Sequence, residues 1–64
     1  MTKAEKDLAK AIVKDHYVEL GSKAKKEAAE ALAAAGLVRL YEDADGKPWA
    51  KALTRAAYNK MAAL

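Results

Sequence analysis

A mainly helical chain with one β-hairpin, in the order α-α-β-β-α, is the fold class this sequence predicts. Three observations lead to it. Apolar residues recur at helical spacing after Thr2. A second, alanine-rich helical stretch is bounded by Ser22 and Gly36. Between two alternating runs, Asp43-Ala44-Asp45-Gly46 has the chemistry of a tight hairpin turn. The 64 residues make a single small domain, 1–64.

The first helix starts at Thr2, because Thr2 followed by Glu5 is a capping box. Leu8, Ala9, Ile12, Val13, His16 and Leu20 share one face, with Lys3, Lys10 and Lys14 opposite. A lone His on an apolar side is a packing or boundary residue before it is a ligand or a base. Beyond it, Tyr17 and Val18 weaken the helical signal. The helix either stops near His16, leaving Tyr17–Leu20 extended, or runs on to Leu20 with Gly21 as its left-handed stop; the second is favoured.

Ser22 is a good N-cap for the second helix, which runs to Ala35 and closes at Gly36. Its expected core stripe is Ala24, Ala28, Ala31, Leu32 and Ala35. Lys23, Lys25 and Lys26 crowd the first turn, the unfavourable end of the helix dipole for a cation. That placement makes sense where an external anion meets them.

The hairpin follows. A type I turn closed by a glycine at positive φ sets Asp43 opposite Lys47, Tyr41 opposite Trp49, Arg39 opposite Lys51 and Leu37 opposite Leu53. Alternation then sorts the side chains. Val38, Leu40, Ala50 and Ala52 face the helices. Arg39, Tyr41, Trp49 and Lys51 form an aromatic and basic face suited to recognition. The competing reading makes Pro48 the first residue of a long last helix, with Trp49, Leu53, Ala57, Met61 and Leu64 as its stripe and a three-helix bundle as the fold. In the hairpin reading Thr54 caps a short final helix, Arg55–Leu64.

Composition narrows the functional classes. Alanine fills 17 positions and there is no Cys. Burial therefore falls to the larger side chains: Leu8, Ile12, Val13, Leu20, Leu32, Val38, Leu40, Leu53, Met61 and Leu64. Ala-rich helices decorated with Lys and Glu are shared by high-GC bacterial and phage proteins and by de novo designs. No disulfide or thiolate metal site is available, and a single His makes no multi-His site. No apolar run has the length of a membrane span and MTKAEKDLAK has no signal-peptide core, so a cytoplasmic, membrane-free protein is expected. No nucleophile–base pair, carboxylate dyad or phosphate loop can be assembled, so neither enzyme activity nor a cofactor is expected. The net charge is +3, and Lys47, Lys51, Arg55 and Lys60 follow the turn with no acid among them. Such a basic end fits a phosphate backbone or an acidic partner.

Residues 31–57, ALAAAGLVRLYEDADGKPWAKALTRAA, resemble the end of a winged helix-turn-helix domain of the MarR-type bacterial repressors. There a recognition helix ends in Leu-x-x-x-Gly-Leu-Val, matched by Leu32 to Val38. A charged wing, a strand ending in Leu-Thr (Leu53-Thr54 here) and a helix follow. The resemblance implies a winged-helix-like fold and DNA as partner. It sets Ser22–Ala35 in the recognition-helix position with Lys23, Lys25 and Lys26 nearest DNA, and makes Arg39, Lys47 and Lys51 wing contacts to phosphate. The chain departs from the family in having two helices before the wing rather than three. Its wing tip is acidic, and its second helix lacks the Arg, Asn and Gln that read bases. The other partner that composition admits is a protein, a second copy of the chain included, held by the Tyr41, Trp49, Arg39 and Lys51 face.

Overall fold

The computed structural model describes all residues, Met1–Leu64. It has three helices and a three-stranded antiparallel sheet: α1 (Lys3–Asp15), β1 (Tyr17–Glu19), α2 (Lys23–Ala34), β2 (Val38–Glu42), β3 (Pro48–Ala52) and α3 (Arg55–Ala62). The strand order is β1-β3-β2. The hairpin is present, and the chain also has a strand that the α-α-β-β-α order omits.

That extra strand comes from the end of α1. The Thr2 hydroxyl accepts from the Glu5 N–H at 3.2 Å and donates to the Glu5 carboxylate at 2.9 Å. At the other end the helix stops at Asp15, and His16 takes φ 67° with its N–H on the Ile12 carbonyl at 2.8 Å. The favoured continuation to Leu20 is therefore wrong, and Gly21 does not adopt a positive φ. An aromatic and a β-branched residue gain more from a ladder than from another helical turn. Tyr17, Val18 and Glu19 pair with Lys51, Ala50 and Trp49, and Leu20, just beyond, is buried in the core.

α2 is capped by Ser22, whose hydroxyl accepts from the Lys25 N–H at 3.2 Å. Gly36, at φ 77°, ends it in a Schellman arrangement: Gly36 N–H bonds the Ala33 carbonyl at 3.0 Å, and Leu37 N–H bonds that of Leu32 at 2.9 Å. The buried face is Ala28, Ala29 and Leu32. The expected stripe is thus rotated, since Ala24, Ala31 and Ala35 are exposed and Ala29 is enclosed. Where every neighbour of a leucine is alanine, the wheel offers no contrast, and packing chooses the face.

The turn has the expected form. Gly46 sits at φ 79° and donates to the Asp43 carbonyl at 3.0 Å, while Asp43 N–H donates to the Lys47 carbonyl at 3.0 Å. Arg39 pairs with Lys51 and Tyr41 with Trp49, and Leu53 N–H reaches the Leu37 carbonyl at 3.1 Å. Pro48 opens β3 opposite Glu42, so the long last helix and the three-helix bundle are excluded. The first position of a strand tolerates proline because a missing N–H there leaves the neighbouring ladder bonds intact. α3 is capped by the Thr54 hydroxyl, which accepts from the Ala57 N–H at 3.1 Å.

The core lies between the helices and one face of the sheet. It is built from Leu8, Ala9 and Ile12 of α1, Leu20, the α2 face, Val38, Ala50 and Met61. Ile12, Leu32 and Met61 are its largest wholly enclosed side chains. Leu40, Leu53 and Leu64 do not join it, being 41%, 48% and 50% exposed. Leu40 instead borders an open cleft between α2 and the hairpin, so strand phase alone does not bury it.

Candidate functional site

Strand alternation divides the sheet into a covered and an open face. Val38 and Ala50 are buried against the helices. The other face carries Arg39, Tyr41, Trp49 and Lys51, as the hairpin register requires. β1 widens it. Tyr17 stands beside Lys51 and Glu19 beside Trp49, giving one row of Tyr17, Lys51 and Arg39 and a second of Glu19, Trp49 and Tyr41. Tyr17 is 58% exposed. Neither Tyr17 nor Glu19 was expected in the site. Their signal was the Tyr-Val-Glu alternation, hidden by reading it as the end of a helix.

Asp43 organises the hairpin end of this face. Its Oδ1 accepts from the Asp45 N–H at 2.8 Å and the Lys47 N–H at 3.0 Å. Its Oδ2 accepts from the Trp49 indole Nε1–H at 2.7 Å. The indole bond, then the Lys47 backbone bond, hold the Asp43 carboxyl below its usual ionisation range. One carboxylate thus closes the loop and sets the direction of the only tryptophan. Next to it, the Lys51 ammonium lies 5.4 Å from the centre of the Tyr41 ring, a cation–π contact.

The α2 lysines are placed differently. Lys23, Lys25 and Lys26 are exposed, and the first turn of α2 contains no acid. They diverge around the helix. Lys26, with Glu30, lines an open cleft of about 360 Å³ between α2 and the hairpin, with Leu40, Tyr41, Glu42, Pro48 and Trp49 on its far wall. Lys25 borders a cleft of about 330 Å³ toward Asp7 and Leu8 of α1. α2 packs on the covered side of the sheet, so Lys23 and Lys25 do not share the face that holds Arg39 and Lys51. Lys47, in the turn, is exposed between the two groups. None of the side-chain hydrogen bonds is donated by a lysine ammonium or an arginine guanidinium.

Several other polar groups are engaged structurally. The hydroxyls of Thr2, Ser22 and Thr54 cap helices. His16 is exposed rather than turned to the apolar side, and its ring stacks on Tyr58 with centroids 5.8 Å apart. The Tyr58 hydroxyl donates to the Val13 carbonyl at 3.1 Å. No group of three or more His, Cys, Asp or Glu residues is placed to hold a metal ion, and no helix is long and apolar enough to cross a membrane. No protein-family model, no curated protein and no solved structure matches the chain.

Proposed function

We propose that this chain is a small, non-enzymatic DNA-binding module of winged-helix-like architecture. Lys23, Lys25 and Lys26 of α2 contact phosphate, and the hairpin adds Arg39, Lys47 and Lys51. The observation that carries the reading is the acid-free first turn of α2, where three exposed lysines make no hydrogen bond through their ammonium groups. That is an anion-accepting end. The hairpin stands beside α2 across a shared cleft, so a duplex lying over the helix end has its backbone along the hairpin. α2 presents Glu27 and Glu30 and no Arg, Asn or Gln. Binding of this kind holds phosphate and tolerates sequence. The test is titration of random duplex DNA at low and high salt. Affinity that falls steeply with salt is expected, and no binding at low salt would overturn the proposal.

A second reading is favoured by one observation. Tyr17, Tyr41, Trp49, Arg39 and Lys51 share one face of the sheet, and of the α2 lysines only Lys26 reaches it, through the cleft that it lines with Tyr41 and Trp49. Aromatic residues with arginine are what protein-interface anchors are made of. A Trp49→Ala, Lys51→Ala double variant distinguishes the two. It abolishes capture of a protein partner, whereas it only weakens DNA binding that α2 still supports.

A further inference from the structure

β2 is an edge strand. The bonds Asp43 N–H to the Lys47 carbonyl and Leu53 N–H to the Leu37 carbonyl set the phase of its ladder with β3. By antiparallel alternation, Arg39 and Tyr41 spend their backbone groups on β3, and Val38, Leu40 and Glu42 point theirs away from the sheet. No strand lies beyond β2. Native edges are usually blunted by charged side chains, lysine above all, by proline or by a bulge. β2 has neither Lys nor Pro, its charged residues are Arg39 and Glu42, and the bulge lies in the turn, outside the strand. At the middle of this edge, Leu40 is 41% exposed.

We infer that β2 is the dimerisation edge of this protein, pairing antiparallel with β2 of a second copy about a two-fold axis through Leu40. In that register the outward N–H and C=O groups of Val38, Leu40 and Glu42 in each copy all find partners. The side chains agree with it. Leu40 meets the second copy's Leu40 and loses its exposure. Arg39 comes opposite the second copy's Tyr41 on the open face, a cation–aromatic pair made twice. Glu42 lies at the end, opposite Val38. On the covered side, Lys26 and Glu30 stand one helical turn apart beside Leu40. The dyad reverses the second α2, so the Lys26 end of one copy faces the Glu30 end of the other. The edge is therefore self-complementary in its backbone groups and in the Leu40–Leu40, Arg39–Tyr41 and Lys26–Glu30 pairings, which selects a second copy over an unrelated strand.

The inference is independent of DNA and is tested without it. Sedimentation equilibrium gives the mass across concentrations up to about 1 mM, a range that reaches weak dimers. Amide exchange is followed by NMR in parallel. A concentration-dependent dimer is expected in which the amides of Val38, Leu40 and Glu42 become protected while those of Arg39 and Tyr41, already in the ladder, change little. Leu40→Lys and Glu42→Pro leave the β2–β3 bonds in place and should each weaken the dimer at least tenfold. A monomer throughout the range would overturn the inference. So would a dimer whose Val38, Leu40 and Glu42 amides exchange as fast as in the monomer.

Discussion

The first turn of α2 and the open face of the hairpin carry the same chemistry in opposite states. At α2, Lys23, Lys25 and Lys26 extend into solvent in diverging directions, held only by the helix beneath them. In the hairpin, Trp49 is tied to Asp43, Lys51 lies over Tyr41, and the register fixes which side chain stands next to which. The difference is one of preorganisation. Flexible lysines lose rotamer freedom on binding and suit a diffuse, repeating charge. A locked aromatic face loses less and suits a partner of defined shape. Which of the two dominates binding is therefore a measure of what the protein recognises.

The largest expected effect tests that division. At three phosphate contacts, replacing Lys23, Lys25 and Lys26 with alanine should lower duplex affinity about 500-fold at 0.1 M salt and make the log–log salt slope shallower by about 2.7. Replacing Arg39 and Lys51 should cost about 60-fold, with a slope change of about 1.8. Anisotropy titrations across salt measure both. If the hairpin pair outweighs the α2 trio, the open face is the principal contact.

Two glycines allow the supports to be compared. Gly36 ends α2 and Gly46 closes the hairpin, each at positive φ and each with open space where a Cβ would go. Alanine at either should destabilise by about 1–2 kcal/mol through backbone strain alone, measured by denaturant unfolding. Only Gly46→Ala should also shift Trp49 emission, because it loosens the loop that Asp43 closes.

Acid should act on the hairpin. The Asp43 carboxyl ionises below the usual aspartate value of 3.8 in the folded protein. Its bonds therefore contribute fully above that value, and the contribution is lost as pH falls through the lower folded one. Trp49 emission should titrate in that acid window, and Asp43→Asn should remove the titration. The smallest effect is expected at the helix end. Lys23→Glu places an acid where the dipole favours it, so it should stabilise by about 0.3–1 kcal/mol while weakening DNA binding. A variant that stabilises without affecting binding would take Lys23 out of the interface.

Where local chemistry is strong, the fold was legible. Thr2, Ser22 and Thr54 each cap the helix they announce, and Gly36 and Gly46 take the left-handed geometry that their positions require. The turn sequence carried the register, and through it the grouping of Arg39, Tyr41, Trp49 and Lys51. The candidate site was half readable for the same reason. Tyr17 and Glu19 were missed because they enter it from a strand distant in sequence. The bond from Asp43 to Trp49 was missed because a turn motif does not say where a side chain's second oxygen points.

Caps, turn type and strand phase follow from contacts within a few residues, so the chain's own order is enough to set them. The fate of His16–Leu20 is different. The segment's local signals point both ways, an apolar helical face that continues to Leu20 and an aromatic, β-branched pair at Tyr17 and Val18, and β3 decides by offering Ala50 and its neighbours as ladder partners. The alanine face of α2 and the exposure of Leu40 and Leu53 depend likewise on which surfaces arrive and where they stop. Small, uniform side chains encode no preference of their own, and packing supplies it.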